Sequence, residues 1–162
     1  MPNFTAKDVT ALKERTGVGI MDCKRALTET NGDVEEAIKI LREKGLATQA
    51  KKSGRVAAEG IVTAVVDGNV GVVLEVNSET DFVAKNEEFK AFVNDVAKTI
   101  IATNPADVET LNNTTMAGSD KTVKEVYDEL FLKIRENMQI RRFVRMEGTL
   151  VSYVHGEGQF AV

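Results

Sequence analysis

The chain has 162 residues, 43% of them hydrophobic and 28% charged, enough for one ordinary domain or two small ones and ordinary for a soluble globular protein. Its net charge of −4 argues against a general polyanion binder, because phosphate binding depends on clustered positive charge. With one cysteine (Cys23) and one histidine (His155), an internal disulfide is impossible and a zinc site of nitrogen and sulfur ligands lacks its donors.

The lone thiol points to a reducing compartment. A catalytic Cys–His pair would have to join Cys23, on a helix, to His155 in a distant turn, so neither an enzyme nor a cofactor is expected. No apolar run approaches the length of a membrane span. Met1-Pro2-Asn3-Phe4 runs straight into a capped helix, so no leader segment is expected either.

The N-terminal third reads as three short helices. Thr5 caps the first, Asp8 completes a weak capping box, and Phe4 and Val9 are spaced as a hydrophobic staple. Val9 and Leu12 form its stripe, and Gly17 supplies a left-handed stop. The second helix runs from about Ile20 to Thr30, with Cys23, Ala26 and Leu27 inward. Asp33 caps the third, whose stripe is Val34, Ala37, Ile38 and Leu41, and Gly45 is expected to close it. The loop Thr16–Met21 puts Ile20 and Met21 beside two glycines. Either they pack inward, as apolar residues usually do, or they form an exposed, adaptable knob for a partner's groove.

Lys44, Lys51, Lys52 and Arg55 punctuate an Ala-rich stretch that reads as a solvated linker helix rather than a phosphate-binding patch. Ile61–Val66 and Val70–Val76, separated by Asp67-Gly68-Asn69, are a strong hairpin signal. The turn Thr80–Asn86 follows; Asn86 caps a helix with the stripe Phe89, Phe92, Val93, Val96 and Ile100. After a loop over 103–120, a further helix carries Val123, Val126, Tyr127, Leu130, Phe131 and Ile134. Arg141–Met146 reads as a strand with a basic face, and its arginines raise an RNA-binding alternative that the acidic charge and lack of stacking aromatics oppose. Helices, hairpin, helices and strands in this order make an α+β chain.

Glu59–Gly68 resembles Glu147–Gly156 at a constant offset of 88 residues. The first copy goes on to a hairpin and a helix, whereas the second reaches Phe160-Ala161-Val162 with an apolar strand edge open. A related second subdomain is therefore expected to follow, or another chain to supply the partner.

Several ordered motifs together resemble the translation elongation factor Ts family, the guanine-nucleotide exchange factor for elongation factor Tu. They are Arg15–Lys24, Asn31-Gly32-Asp33, Glu75-Val76-Asn77, Thr80–Lys85, and Glu136-Asn137 followed by Ile140-Arg141-Arg142. The resemblance implies a three-helix bundle of the ubiquitin-associated type over 1–46, a basic linker helix over 47–58, an antiparallel-sheet core subdomain with packed helices over 59–146, and the start of a repeated subdomain over 147–162. It implies elongation factor Tu as the partner, contacted by Lys13, Ile20 and Met21 on the bundle, by Thr80, Asp81, Phe82 and Val83 at the turn, and by Ile134 and His155 elsewhere. Asp81 and Phe82 match residues that insert between helices of the GTPase near its magnesium and phosphate site. Asp81 is expected to hold the loop in place, capping the next turn or pairing with the partner. Composition alone would bury Phe82. The resemblance further implies a cytoplasmic protein, bacterial or mature organellar, with no direct nucleic-acid or membrane partner, and it admits a homodimer.

Overall fold

The computed structural model describes residues 3–162 and divides the chain into two compact units. One comprises the residues up to Ser53 with Asp128–Arg135; the other comprises Gly54–Tyr127 with Glu136–Val162.

In the first unit, α1 (Ala6–Thr16), α2 (Ile20–Glu29) and α3 (Val34–Lys52) enclose an apolar core. Local chemistry sets the helix ends. The Thr5 N–H donates to Asp8 Oδ2 at 2.6 Å while the Asp8 N–H donates to Thr5 Oγ1 at 3.4 Å, a reciprocal capping box. Gly17 ends α1 at φ 68, a left-handed conformation that costs glycine nothing. Asp33 Oδ1 accepts the Glu36 N–H at 3.0 Å and starts α3. Val9, Leu12, Val18, Cys23, Leu27, Ile38, Leu41 and Leu132 fill the interior, with Phe4 packed against them.

Helix α3 does not stop at Gly45. It runs on to Lys52, so the residues read as the opening of a linker helix are its last turns, and Gly54–Ala58 is not helical. Glu43, Lys44, Leu46 and Ala47 flank the glycine and are good helix formers, which outweigh a single-glycine cost of about 1 kcal/mol. Gly45 is buried with Leu132 against it.

The second unit is built on an antiparallel sheet in the order β1-β2-β3, formed by β1 (Glu59–Asp67), β2 (Val70–Ser78) and β3 (Gln139–Glu147). The expected hairpin is present, but Asp67 extends β1 and pairs with Val70, so the turn has two residues, Gly68 and Asn69, rather than three. Val72, Leu74 and Val76 alternate onto the buried face, and α5 (Glu87–Thr103) covers it with Phe89, Phe92, Val93, Val96 and Ile100. Burying each such side chain is worth about 1.5–3 kcal/mol.

The loop read over 103–120 contains a short helix, α6 (Val108–Asn112), capped by Asp107 and anchored by buried Leu111. Beyond it comes α7 (Val123–Ile134), whose Tyr127 hydroxyl donates to the Met138 carbonyl at 2.7 Å.

The basic face expected on β3 is broken up. A bulge opposite Glu75/Val76 leaves Arg141 out of the register. Arg142 Nε meets Glu75 Oε2 at 2.7 Å, and Arg145, its side chain only 15% exposed, donates to the Ile101 carbonyl near the C-terminal end of α5 and pairs with Glu147. Three of the four cations of the Ala-rich stretch are likewise engaged. Lys44 pairs with Glu29 at 2.8 Å, the Lys52 ammonium donates to the Arg135 carbonyl, and Arg55 lies 3.6 Å from Glu79.

The repeat is visible in backbone conformation but not in strand pairing. Gly60 and Gly148 have φ 127 and 145, and Gly68 and Gly156 have φ 59 and 63. Yet Glu59–Asp67 is a nine-residue strand, whereas in its counterpart Glu147 ends β3 and only β4 (Val154–His155) forms a further strand, paired with β5 (Phe160–Ala161). The Val62 N–H at the β1 edge donates to the Gly158 carbonyl at 2.8 Å, partly covering that edge.

Candidate functional site

The turn after β2 is where the second unit presents a large apolar side chain. Thr80 caps the four-residue helix α4 (Asp81–Ala84), its Oγ1 accepting the Val83 N–H at 3.4 Å. Val83 and Ala84 are buried, and α4 packs on β1 and β2. Phe82, between Asp81 and this buried pair, is 81% exposed. The composition-based expectation of a core phenylalanine is therefore corrected: the short helix can turn only one side to the sheet, and Val83 and Ala84 occupy it.

Asp81 does not cap the turn. It is the first residue of α4, is exposed, and lies 3.5 Å from Lys85 Nζ one helical turn on. Asn86 caps α5, its Oδ1 accepting the Phe89 N–H at 3.0 Å.

Two carboxylates hold the base of this turn. The Thr80 hydroxyl donates to Glu136 Oε1 at 2.7 Å and the Thr80 N–H to Glu136 Oε2 at 3.1 Å. In the opposite direction, the Asn137 N–H donates to Glu79 Oε1 at 2.7 Å, and Asn137 Nδ2 donates to the Arg55 carbonyl at 2.7 Å. In the sequence Glu136 and Asn137 stand out only as part of a motif. An acidic residue beside an asparagine carries no local signal that its partner lies 56 residues earlier.

In the first unit, Ile20 and Met21 are exposed (49% and 62%), so the inward-packing alternative does not hold. Val18 takes the core position instead, fully buried. Ile20 and Met21 line an open groove of about 780 Å³ with Phe4, Val9, Thr10 and Lys24. Lys13 is exposed on α1 outside the groove lining, and Ile134 is half-buried on α7. His155, in the second unit, is exposed within an aromatic group. Tyr153 Oη lies 3.1 Å from its Nδ1, and the Tyr153 and Phe160 rings are centred 6.1 and 6.3 Å from its own. Thr80–Val83 thus form one turn and Ile20–Met21 another, on different units.

Cys23 and His155 likewise belong to different units. Burial pushes the Cys23 thiol above its ordinary value, with the Thr16 hydroxyl opposing, so the nucleophilic thiolate is disfavoured. Among the described residues no three His, Cys, Asp or Glu are gathered as metal ligands, and no helix is long and apolar enough to cross a membrane.

The chain is thus an α+β protein that holds one aromatic outward on a braced turn and exposes a second apolar pair on a helical unit. Comparison with known proteins narrows the class. The family model described as elongation factor TS matches residues 79–162. The chain is 55% identical over 164 residues to elongation factor Ts of Clostridium perfringens (strain SM101 / Type A), 54% identical over 164 residues to that of Clostridium novyi, and 47% identical over 162 residues to that of Syntrophotalea carbinolica. Each match covers 98% of this chain and 54% of the relative, so the chain spans about half the length of these curated relatives. The chain belongs to the elongation factor Ts family, a family of translation elongation factors.

Proposed function

We propose that this chain binds elongation factor Tu in its GDP form and promotes GDP release so that GTP can rebind. Family membership supports the partner, and the exposure of Phe82 on a braced turn is the observation that carries the mechanism. Phe82 enters between helices of the GTPase near its Mg²⁺ and phosphate site and displaces groups that hold the metal and the β-phosphate. Asp81, already facing solvent, pairs with the partner. Ile20 and Met21 dock the helical unit, which we read as a ubiquitin-associated-type bundle. Lys13, Ile134 and His155 are further contacts; Thr80 and Val83, expected as contacts too, are half-buried and buried and hold the turn instead.

No covalent bond is made or broken and no cofactor is needed. A factor that binds the nucleotide-free GTPase more tightly weakens nucleotide binding by the same ratio. Weakening GDP a hundredfold takes about 2.7 kcal/mol, within reach of a buried aromatic anchor worth about 2 kcal/mol or more. The reading places the chain in the cytoplasm. The glycine conformations shared at an offset of 88 residues support residues 147–162 as the start of a second, related subdomain.

A titration of elongation factor Tu bound to fluorescent GDP tests the reading. Release that rises with added chain supports it. The alternative reading, a binding module without efficient exchange, predicts a complex by pull-down and release at the spontaneous rate.

A further inference from the structure

Phe82 has to arrive at its partner in one orientation, yet a four-residue helix cannot hold itself, because a single turn does not repay its own nucleation. What fixes α4 is the packing of Val83 and Ala84 beneath it and the Thr80 cap at its start. The cap is held in turn by the Glu136 carboxylate, which takes both the hydroxyl and the N–H of Thr80, at 2.7 and 3.1 Å. The same hydroxyl oxygen accepts the Val83 N–H, so one side chain links Glu136 to the interior of α4. Ser78, fully buried, adds a third tie by donating from Oγ to the Thr80 carbonyl at 2.9 Å. All polar groups of Thr80 are thereby engaged, two of them by a carboxylate, which makes those bonds the stronger kind.

We propose that Glu136 is a positioning residue for Phe82. Its carboxylate holds Thr80, and through Thr80 the first turn of α4, so that the exposed ring is presented in its docking orientation before the partner arrives. This rests on the exchange reading above. An anchor ordered in advance loses less freedom on binding, so the effect of the brace appears in the rate at which bound nucleotide leaves. Glu79 completes the brace by accepting the Asn137 N–H, which fixes the chain next to Glu136.

The test uses the full 162-residue chain with Glu136→Ala, Glu136→Gln, Phe82→Ala and the Glu136→Ala/Phe82→Ala double variant. Amide hydrogen exchange, measured without a partner, reads the brace. In Glu136→Ala the Thr80 and Val83 amides should exchange at least about tenfold faster, with those of Leu74 and Val76 in β2 unchanged. Fluorescent GDP release from elongation factor Tu at saturating chain reads the consequence. Glu136→Ala should lower the stimulated rate at least about fivefold, Glu136→Gln, which retains one acceptor oxygen, should recover part of it, and the double variant should be no slower than Phe82→Ala alone. Unchanged exchange at Thr80 and Val83 would overturn the proposal. So would a parental release rate in Glu136→Ala alongside a lost one in Phe82→Ala. A parental rate in Phe82→Ala would sink the exchange reading instead, and the amide exchange alone would then decide whether Glu136 orders the turn.

Discussion

Leu132 on α7 occupies the space that a β-carbon on Gly45 of α3 would fill, and both residues are buried in the first unit. In an exposed helix, Gly→Ala stabilises by about 0.5–1 kcal/mol. Here the methyl group would force Leu132 from its place in a packed core, at about 1–3 kcal/mol. Gly45→Ala should therefore lower stability in urea unfolding, and in a Leu132→Ala background the same change should become neutral or stabilising. A more stable Gly45→Ala chain with Leu132 present would contradict the packing described.

Glu75 lies on the sheet with Arg142 Nε 2.7 Å from its carboxylate. Burial pushes its pKa up, but hydrogen bonds from Arg142 and Asn77 outweigh this and hold it below the ordinary value of 4.5. A carboxylate depressed in the folded state contributes stability above its unfolded pKa, and that stability is lost as pH falls through the folded value. Arg142 is 78% exposed, so the pair is worth on the order of 1 kcal/mol at most. Glu75→Gln should be slightly less stable at pH 7 and should lose less stability than the parent chain below about pH 4.5. Parallel stability curves for the two chains would rule the pair out as a contributor.

Cys23 is fully buried, with its thiol 3.6 Å from the Val18 carbonyl oxygen, and burial raises its pKa. Its reaction with an aromatic disulfide reagent should therefore report opening of the helical unit. We expect slow labelling in buffer that accelerates with urea in step with loss of helical signal. Rapid labelling in buffer would mean that α2 opens independently of that unit's core.

Met21 and Ile20 have little to lose on truncation in the free chain, being 62% and 49% exposed. Ile20→Ala/Met21→Ala should keep the parent's stability within about 1 kcal/mol, and should weaken association with elongation factor Tu by tenfold or more if the groove they line is the docking face. Unchanged affinity would remove the groove from the interface.

Much of this architecture is legible in the sequence because the signals are local. The Thr5–Asp8 box, the Asp33 and Asn86 caps, the β1–β2 hairpin and the helical periodicity of α5 and α7 all act within a few residues of themselves. What was not legible depends on distant partners. Gly45 has the composition of a stop, and only the surrounding helix formers and the contact with Leu132 explain why α3 continues. The alternating arginines of β3 imply a basic stripe until the bulge, Glu75 and the Ile101 carbonyl are seen. At the site, the Thr80–Phe82 turn stood out as a motif. The brace from Glu136 could not, because nothing in a single sequence pairs positions 56 residues apart.

In the proposed exchange function, exposed Phe82 drives nucleotide release while contributing little to the fold. Phe82→Ala tests it most directly, through fluorescent GDP release from elongation factor Tu and thermal unfolding of the same preparation. The account predicts that the stimulated release rate falls about thirtyfold or more, the equivalent of losing about 2 kcal/mol, while stability stays within about 0.5 kcal/mol of the parent. Parental release by a folded Phe82→Ala chain would contradict it.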